Sequence, residues 1–180
     1  MSTLKKFRKD LHALACQDKA LSLQGFFKTG KGEYGEGDKF LGIVVPKQRK
    51  IAKTHRELPL NDLKTLLASP WHEERLTALL ILIFQHQLAN PLRQKQIYDF
   101  YFANVAGINN WDLVDLSAPQ IVGAYLLDKN KDFLHNLIAS KNLWERRIAI
   151  VSTWHFIRNN HFKETLALSK KSLADQEDLM

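Results

Sequence analysis

Residues 69–83 read Ser69-Pro70-Trp71-His72-Glu73-Glu74-Arg75-Leu76-Thr77-Ala78-Leu79-Leu80-Ile81-Leu82-Ile83. Leu76, Leu79, Leu80 and Ile83 recur at i, i+3, i+4 and i+7. That is the period of one face of an α-helix, not the alternation of a half-buried strand. Ser69-Pro70 marks the opening, because proline presets a first helical turn and lacks only an N–H that would be unsatisfied there.

The same pattern extends in both directions. Ser2 caps a helix running to Ala15, with Leu4, Phe7, Leu11 and Leu14 at helical spacing. Residues 19–28 form a second helix. The glycine-rich loop Gly30-Lys31-Gly32-Glu33-Tyr34-Gly35-Glu36-Gly37 follows. It matches neither a Walker A loop nor a dinucleotide fingerprint, since no strand precedes it and the spacing is wrong. A short apolar connector ends at Pro46, and residues 46–57 read as a basic helix carrying Lys47, Arg49, Lys50, Lys53 and Arg56.

Asn61 caps a helix through Ala68. Pro91 starts another that turns Ile97, Phe100 and Tyr101 inward. Asn110 caps the helix bearing Trp111 and Asp115. Residues 129–139, 142–158 and 161–173 complete the series, the second with Trp144, Ile148 and Val151 at helical spacing. The expected class is all-α, with about ten helices in antiparallel pairs. Helix pairs recurring at roughly forty residues suggest a HEAT-like α-solenoid with a concave basic face; an irregular helical bundle is the alternative.

Length and composition agree with a single helical-repeat domain over residues 1–180. Eight glycines and five prolines are too few for a sandwich of short strands. A single cysteine, Cys16, excludes an internal disulfide framework and points to a reducing cytoplasm. No apolar run reaches the length of a membrane span, so no membrane partner is expected. Net charge is +7, unevenly spread. Residues 1–60 carry 13 Lys/Arg against 6 Asp/Glu, residues 61–120 carry 4 against 6, and residues 121–180 carry 9 against 7. The basic excess lies in the first third; a basic face suggests a polyanion partner, and on composition alone a solvated lysine-rich surface fits equally well.

Two segments carry chemistry. Asn109-Asn110-Trp111-Asp112-Leu113-Val114-Asp115 places Trp111 and Asp115 at i, i+4, so an indole and a carboxylate share a helix face. Leu143-Trp144-Glu145-Arg146-Arg147 offers two adjacent guanidiniums. Together they suit a site that binds a cation beside a phosphate backbone. Pro119 removes the N–H that the Asp115 carbonyl would accept, so a kink or restart is expected near residues 116–118, with Ser117 as a candidate cap. The plainer readings are that Trp71, Trp144 and Trp154 are core, that Asp112 is a first-turn helix charge, and that Asp115 is a structural partner of Arg146 or Arg147. Cys16 reads as a core helix residue. His72-Glu73-Glu74 lacks a second histidine at i+4, so neither metal nor cofactor is expected.

Four motifs in order resemble those of the AlkD-like DNA alkylation repair proteins, which are HEAT-like-repeat DNA glycosylases. They are Phe40-Leu41-Gly42-Ile43 with Val45-Pro46-Lys47-Gln48-Arg49; Trp71-His72-Glu73-Glu74-Arg75 with Ala78 to Leu82; Trp111 to Asp115 followed by Pro119; and Trp144-Glu145-Arg146-Arg147-Ile148-Ala149-Ile150. The resemblance implies a hydrolase acting on N-glycosyl bonds, excising cationic N3- and N7-alkylated purines from duplex DNA. It carries Asp115 over as the catalytic carboxylate, Trp111 as the DNA-facing aromatic and Arg147 as the phosphate-binding arginine, with Arg146 the competing choice. The expected partner is duplex DNA with alkylated bases, bound by a monomer in the cytoplasm, at the nucleoid if the source is bacterial. Lys47, Arg49, Lys50 and Lys53 are expected on the DNA backbone. Family members continue for several helices, one with a Gly-Trp segment. By that measure the chain is truncated, and a non-catalytic helical-repeat module binding DNA or a protein is the alternative.

Overall fold

Helices run Thr3–His12 (α1), Gln17–Phe26 (α2), Val45–Thr54 (α3), Leu60–Leu67 (α4), His72–Leu88 (α5), Pro91–Ala103 (α6), Trp111–Ala118 (α7), Ala124–Leu126 (α8), Asp132–Leu137 (α9), Leu143–Arg158 (α10) and Lys163–Ser172 (α11). The computed structural model describes residues 3–180. Among them there is no strand, only an isolated bridge between Lys39 and Trp71. The all-α expectation holds, in a form consistent with an α-solenoid. The expected Ser2 cap lies outside the described residues. No helix among them is long and apolar enough to cross a membrane.

The chain divides into two compact units. One is Met1–Leu88 with Ala106–Ile108; the other is Ala89–Val105 with Asn109–Met180. In the first, α3 and α4 pack on α5, and α1 packs on α3. Every residue from His72 to Ile83 is buried, the four leucine and isoleucine positions of the periodic stripe among them. A helix buried on all sides at its start must satisfy its polar residues internally.

It does so by clamping the connector before α3. The Glu73 carboxylate accepts three backbone N–H bonds, from Leu41 (2.8 Å), Gly42 (2.8 Å) and Ile43 (3.1 Å). Arg75 donates to Asp38 at 2.7 Å and to the Ser69 carbonyl at 2.9 Å, and His72 Nδ1 meets Asp38 at 3.0 Å. Glu74 receives Arg8 and His12 from α1, at 3.0 and 2.8 Å. Burial alone would raise the Asp38 and Glu74 carboxyls. The hydrogen bonds from His72 and Arg75, and from His12 and Arg8, outweigh it and hold both below their ordinary values. Gly42 sits at φ +80°, and a Cβ there would meet the Cys16 carbonyl oxygen at 2.1 Å. Only glycine lets the connector lie against the start of α2.

Several local expectations change. α1 ends at His12, not Ala15, and Cys16 is an exposed, extended residue before α2 whose N–H donates to the Leu41 carbonyl at 2.8 Å. Pairing with the connector stops a helix that Ala13-Leu14-Ala15 would locally continue. α4 begins at Leu60 with Pro59, not Asn61, as its extended cap; proline before the first turn supplies the start. On α3, Lys47, Arg49, Lys50 and Lys53 lie on the solvent side, while Gln48 and Ala52 are buried.

In the second unit α10 is the hub, packed against α7, the turn after it, α9 and α11. Its buried face is Ile148, Ala149, Ser152, Thr153 and Phe156. Trp154 lies between those positions on the opposite side and is 59% exposed, so it is not core; Trp71 and Trp144 are half-buried. On α6, Ile97 and Tyr101 are buried as expected and Phe100 is half-buried.

Candidate active site

Asn110 starts α7. Its Oδ1 accepts the Trp111 N–H at 2.8 Å, and its backbone is extended, as a cap requires. Trp111, half-buried, is then the first helical residue, and Asp115 follows one turn later on the same face. Asp112 is buried at 7% exposure, so its placement in the first turn is accompanied by packing and not by solvent.

The helix does not break at Pro119. It passes into a π turn, Pro119–Gly123, and resumes as α8. A π turn shifts the backbone pairing by one residue, which accommodates a residue that has no N–H to give. Ser117 is therefore not a cap. It is buried, its hydroxyl donates to the Leu113 carbonyl at 2.5 Å, and it meets the Tyr101 hydroxyl at 2.9 Å. Burial pushes the Tyr101 hydroxyl up.

α10 brings the arginines. Asn142 caps it by accepting the Trp144 N–H at 2.9 Å. Arg147 grips Asp115 with two parallel bonds, Nε to Oδ1 at 2.8 Å and Nη2 to Oδ2 at 2.7 Å. Its Nη1 donates to the Leu179 carbonyl. The Asp115 side chain remains 35% exposed against 17% for Arg147. Arg146 turns elsewhere. It binds Asp175 through two bonds (2.7 and 3.1 Å) and donates to the carbonyls of Ser140 and Lys141, both at 3.1 Å. The hydrogen bond from Arg146, joined by one from the Glu177 N–H, draws the Asp175 carboxyl below its ordinary value.

Thus Trp111, Asp115 and Arg147 share one locality on α7 and α10, and Arg146 anchors the segment after α11. Lys47, Arg49, Lys50 and Lys53 belong to the other unit.

A family profile described as DNA alkylation repair enzyme matches residues 7–180. The chain belongs to that family. Comparison with the curated proteins gave no match.

In this DNA alkylation repair family member, the contact between the π turn and α10 depends on a residue that sequence reading passed over. A Cβ added at Gly123 would lie 2.3 Å from the Ser152 carbonyl oxygen and 2.8 Å from His155 Cβ. The available signal was a lone glycine inside a helical pattern. Gly123→Ala is expected to force α10 away from the turn, costing about 2 kcal/mol or more and lowering the melting temperature by roughly 5 °C. Thermal unfolding by circular dichroism checks this, and an unchanged midpoint would show that the turn is not flush against α10.

Proposed function

We propose that the chain is a monofunctional DNA glycosylase that releases cationic N3- and N7-alkylated purines from duplex DNA. The observation that carries the reading is a carboxylate, Asp115, oriented by Arg147 yet still open to solvent, on the helix face that Trp111 begins. Membership of a DNA alkylation repair family supports DNA as the substrate.

The chemistry follows from the lesion. Alkylation at N3 or N7 leaves the purine positively charged. When the C1′–N bond breaks, its electron pair discharges the ring and the base leaves neutral, so no protein acid is required. Positive charge then grows on the sugar. A carboxylate fixed nearby stabilises it, as in glycosidases. A unit pair near 4 Å is worth roughly 4 kcal/mol at an effective dielectric of about 20.

A carboxylate has about four lone-pair directions, and Arg147 uses two. The others remain for a water that adds to C1′ and gives its proton to the Asp115 carboxylate, which passes it on to solvent. Arg147 both orients Asp115 and draws a flanking phosphate, and Trp111 holds the cationic nucleotide by its ring face. Lys47, Arg49, Lys50 and Lys53 bind the duplex backbone without reading sequence.

One observation favours a non-catalytic DNA- or protein-binding module. Asp115, Arg147 and the Leu179 carbonyl already form a satisfied structural group. Incubation with duplex containing 7-methylguanine separates the two. Free base in solution supports the glycosylase, and binding without release supports the module. Neutralising Lys47, Arg49, Lys50 and Lys53 together is expected to flatten the salt dependence of duplex binding. The slope should fall by roughly one log unit per log salt for each phosphate that is no longer bound. Unchanged salt dependence would remove α3 from the interface.

A further inference from the structure

A cleft of about 420 Å³ lies in the second unit, between the loop after α8 and the start of α11, and neither Asp115 nor Arg147 lines it. Three lysines do: Lys129, Lys131 and Lys163. None is paired with a carboxylate among the described residues, whereas Lys95, Arg146 and Arg147 in the same unit each are.

Two of the three are not the mobile lysines of an ordinary surface. Lys129 Nζ donates to the Tyr125 carbonyl at 2.8 Å and sits 4.2 Å from the centre of the Tyr125 ring. Lys131 Nζ donates to the carbonyls of Leu127 and Lys129, both at 2.9 Å, and lies 5.2 Å from the Phe156 ring centre. An ammonium has three N–H groups, so Lys129 keeps two for a ligand and Lys131 keeps one. These bonds restrain the two ammoniums before any ligand arrives, which lowers an entropic cost that flexible lysines bear on binding.

Two carboxylates also line the cleft, and both are engaged. Glu164 meets His135 Nε2 at 2.8 Å. Lys171 donates to His135 Nδ1 at 3.2 Å, which leaves the ring proton on Nε2 to bond Glu164. Asp132 accepts from Asn130 at 3.0 Å. The cations therefore outnumber the anions around a space large enough for a tetrahedral anion with its water.

We propose that this cleft binds a phosphodiester of the duplex backbone, in addition to the phosphate drawn by Arg147. The assignment of DNA as the source of the phosphate rests on the proposed function.

The test measures binding of undamaged duplex by fluorescence anisotropy across a salt series, for the wild type and for the Lys129→Gln/Lys131→Gln/Lys163→Gln variant. The slope of log affinity against log salt is expected to shrink by about one, for the one phosphate lost, and the dissociation constant near 0.1 M salt to rise roughly tenfold. Lys163→Glu alone, at an exposed position, should give about one slope unit even if the triple variant folds poorly. A folded triple variant with the wild-type slope overturns the cleft while leaving the glycosylase reading intact. A wild type with no salt-dependent duplex binding overturns both. Lys170→Gln, outside the cleft on α11, should change nothing; an equal loss there would mean bulk charge and not the cleft. A titration with inorganic phosphate distinguishes a free anion. If phosphate raises the melting temperature of the wild type but not of the triple variant, and the duplex slope is unchanged between them, the backbone assignment fails.

Discussion

Asp115→Asn is expected to slow single-turnover release of 7-methylguanine by roughly a hundredfold or more, since a few kcal/mol of transition-state stabilisation are removed. The side chain keeps its size and polarity and loses its charge. Binding to damaged duplex should weaken little, because a negative charge near phosphates is also removed. The geometry adds a second consequence. Asparagine accepts from one guanidinium N–H and turns its own amide toward the other, so the two-bond grip of Arg147 is broken. The pair is partly exposed, and the expected cost in stability is only about 1–2 kcal/mol after allowing for solvent screening. Melting and excision must be measured on the same sample. A destabilised variant that excises at the wild-type rate would end the catalytic assignment and leave Asp115 as a structural partner of Arg147.

Glu73→Ala is expected to have the largest effect on stability. The carboxylate is 1% exposed and is the acceptor for the N–H groups of Leu41, Gly42 and Ile43. Removing it orphans three buried donors, each at about 1–3 kcal/mol, with partial relief from water entering the space. A net loss of roughly 3–5 kcal/mol is a large share of the 5–15 kcal/mol typical of a domain. The melting temperature should fall by roughly 10 °C or more. Hydrogen exchange should show the amides of residues 41–43 losing protection before the rest of the unit. Wild-type melting with those amides still protected would mean the connector is held by something other than Glu73.

The elements most legible in the sequence were those whose causes are local. The stripe Leu76, Leu79, Leu80 and Ile83, the proline at the start of α3 and α6, and the cap Asn110 lie within a turn or two of the feature they specify. The exposed basic side of α3 was legible for the same reason. What escaped depends on residues far away along the chain. Glu73 and Glu74 look like ordinary first-turn charges until the connector 30 residues earlier and α1, more than 60 residues earlier, fold onto them. Cys16 leaves its helix because of a hydrogen bond to Leu41. At the site, the i, i+4 relation of Trp111 and Asp115 was readable, but the choice between adjacent Arg146 and Arg147 was not. Asp175, 29 residues beyond Arg146, takes one guanidinium and leaves the other to Asp115.

The Leu179 carbonyl on Arg147 has a kinetic meaning for any anion that uses this guanidinium. Asp175, fastened to Arg146, tethers the carbonyl four residues away, so it returns to Arg147 as an intramolecular competitor. Its effective concentration is of the order of millimolar for so short a tether, independent of how dilute the protein is. A phosphate that used the N–H now on Leu179 would have to outcompete a ligand that never diffuses away, although two other N–H groups of Arg147 have no bond among the described residues. It can do so because a charged acceptor binds a guanidinium about twice as strongly as a neutral carbonyl. At that N–H the contest would be decided by charge, and weakly charged ligands would lose it.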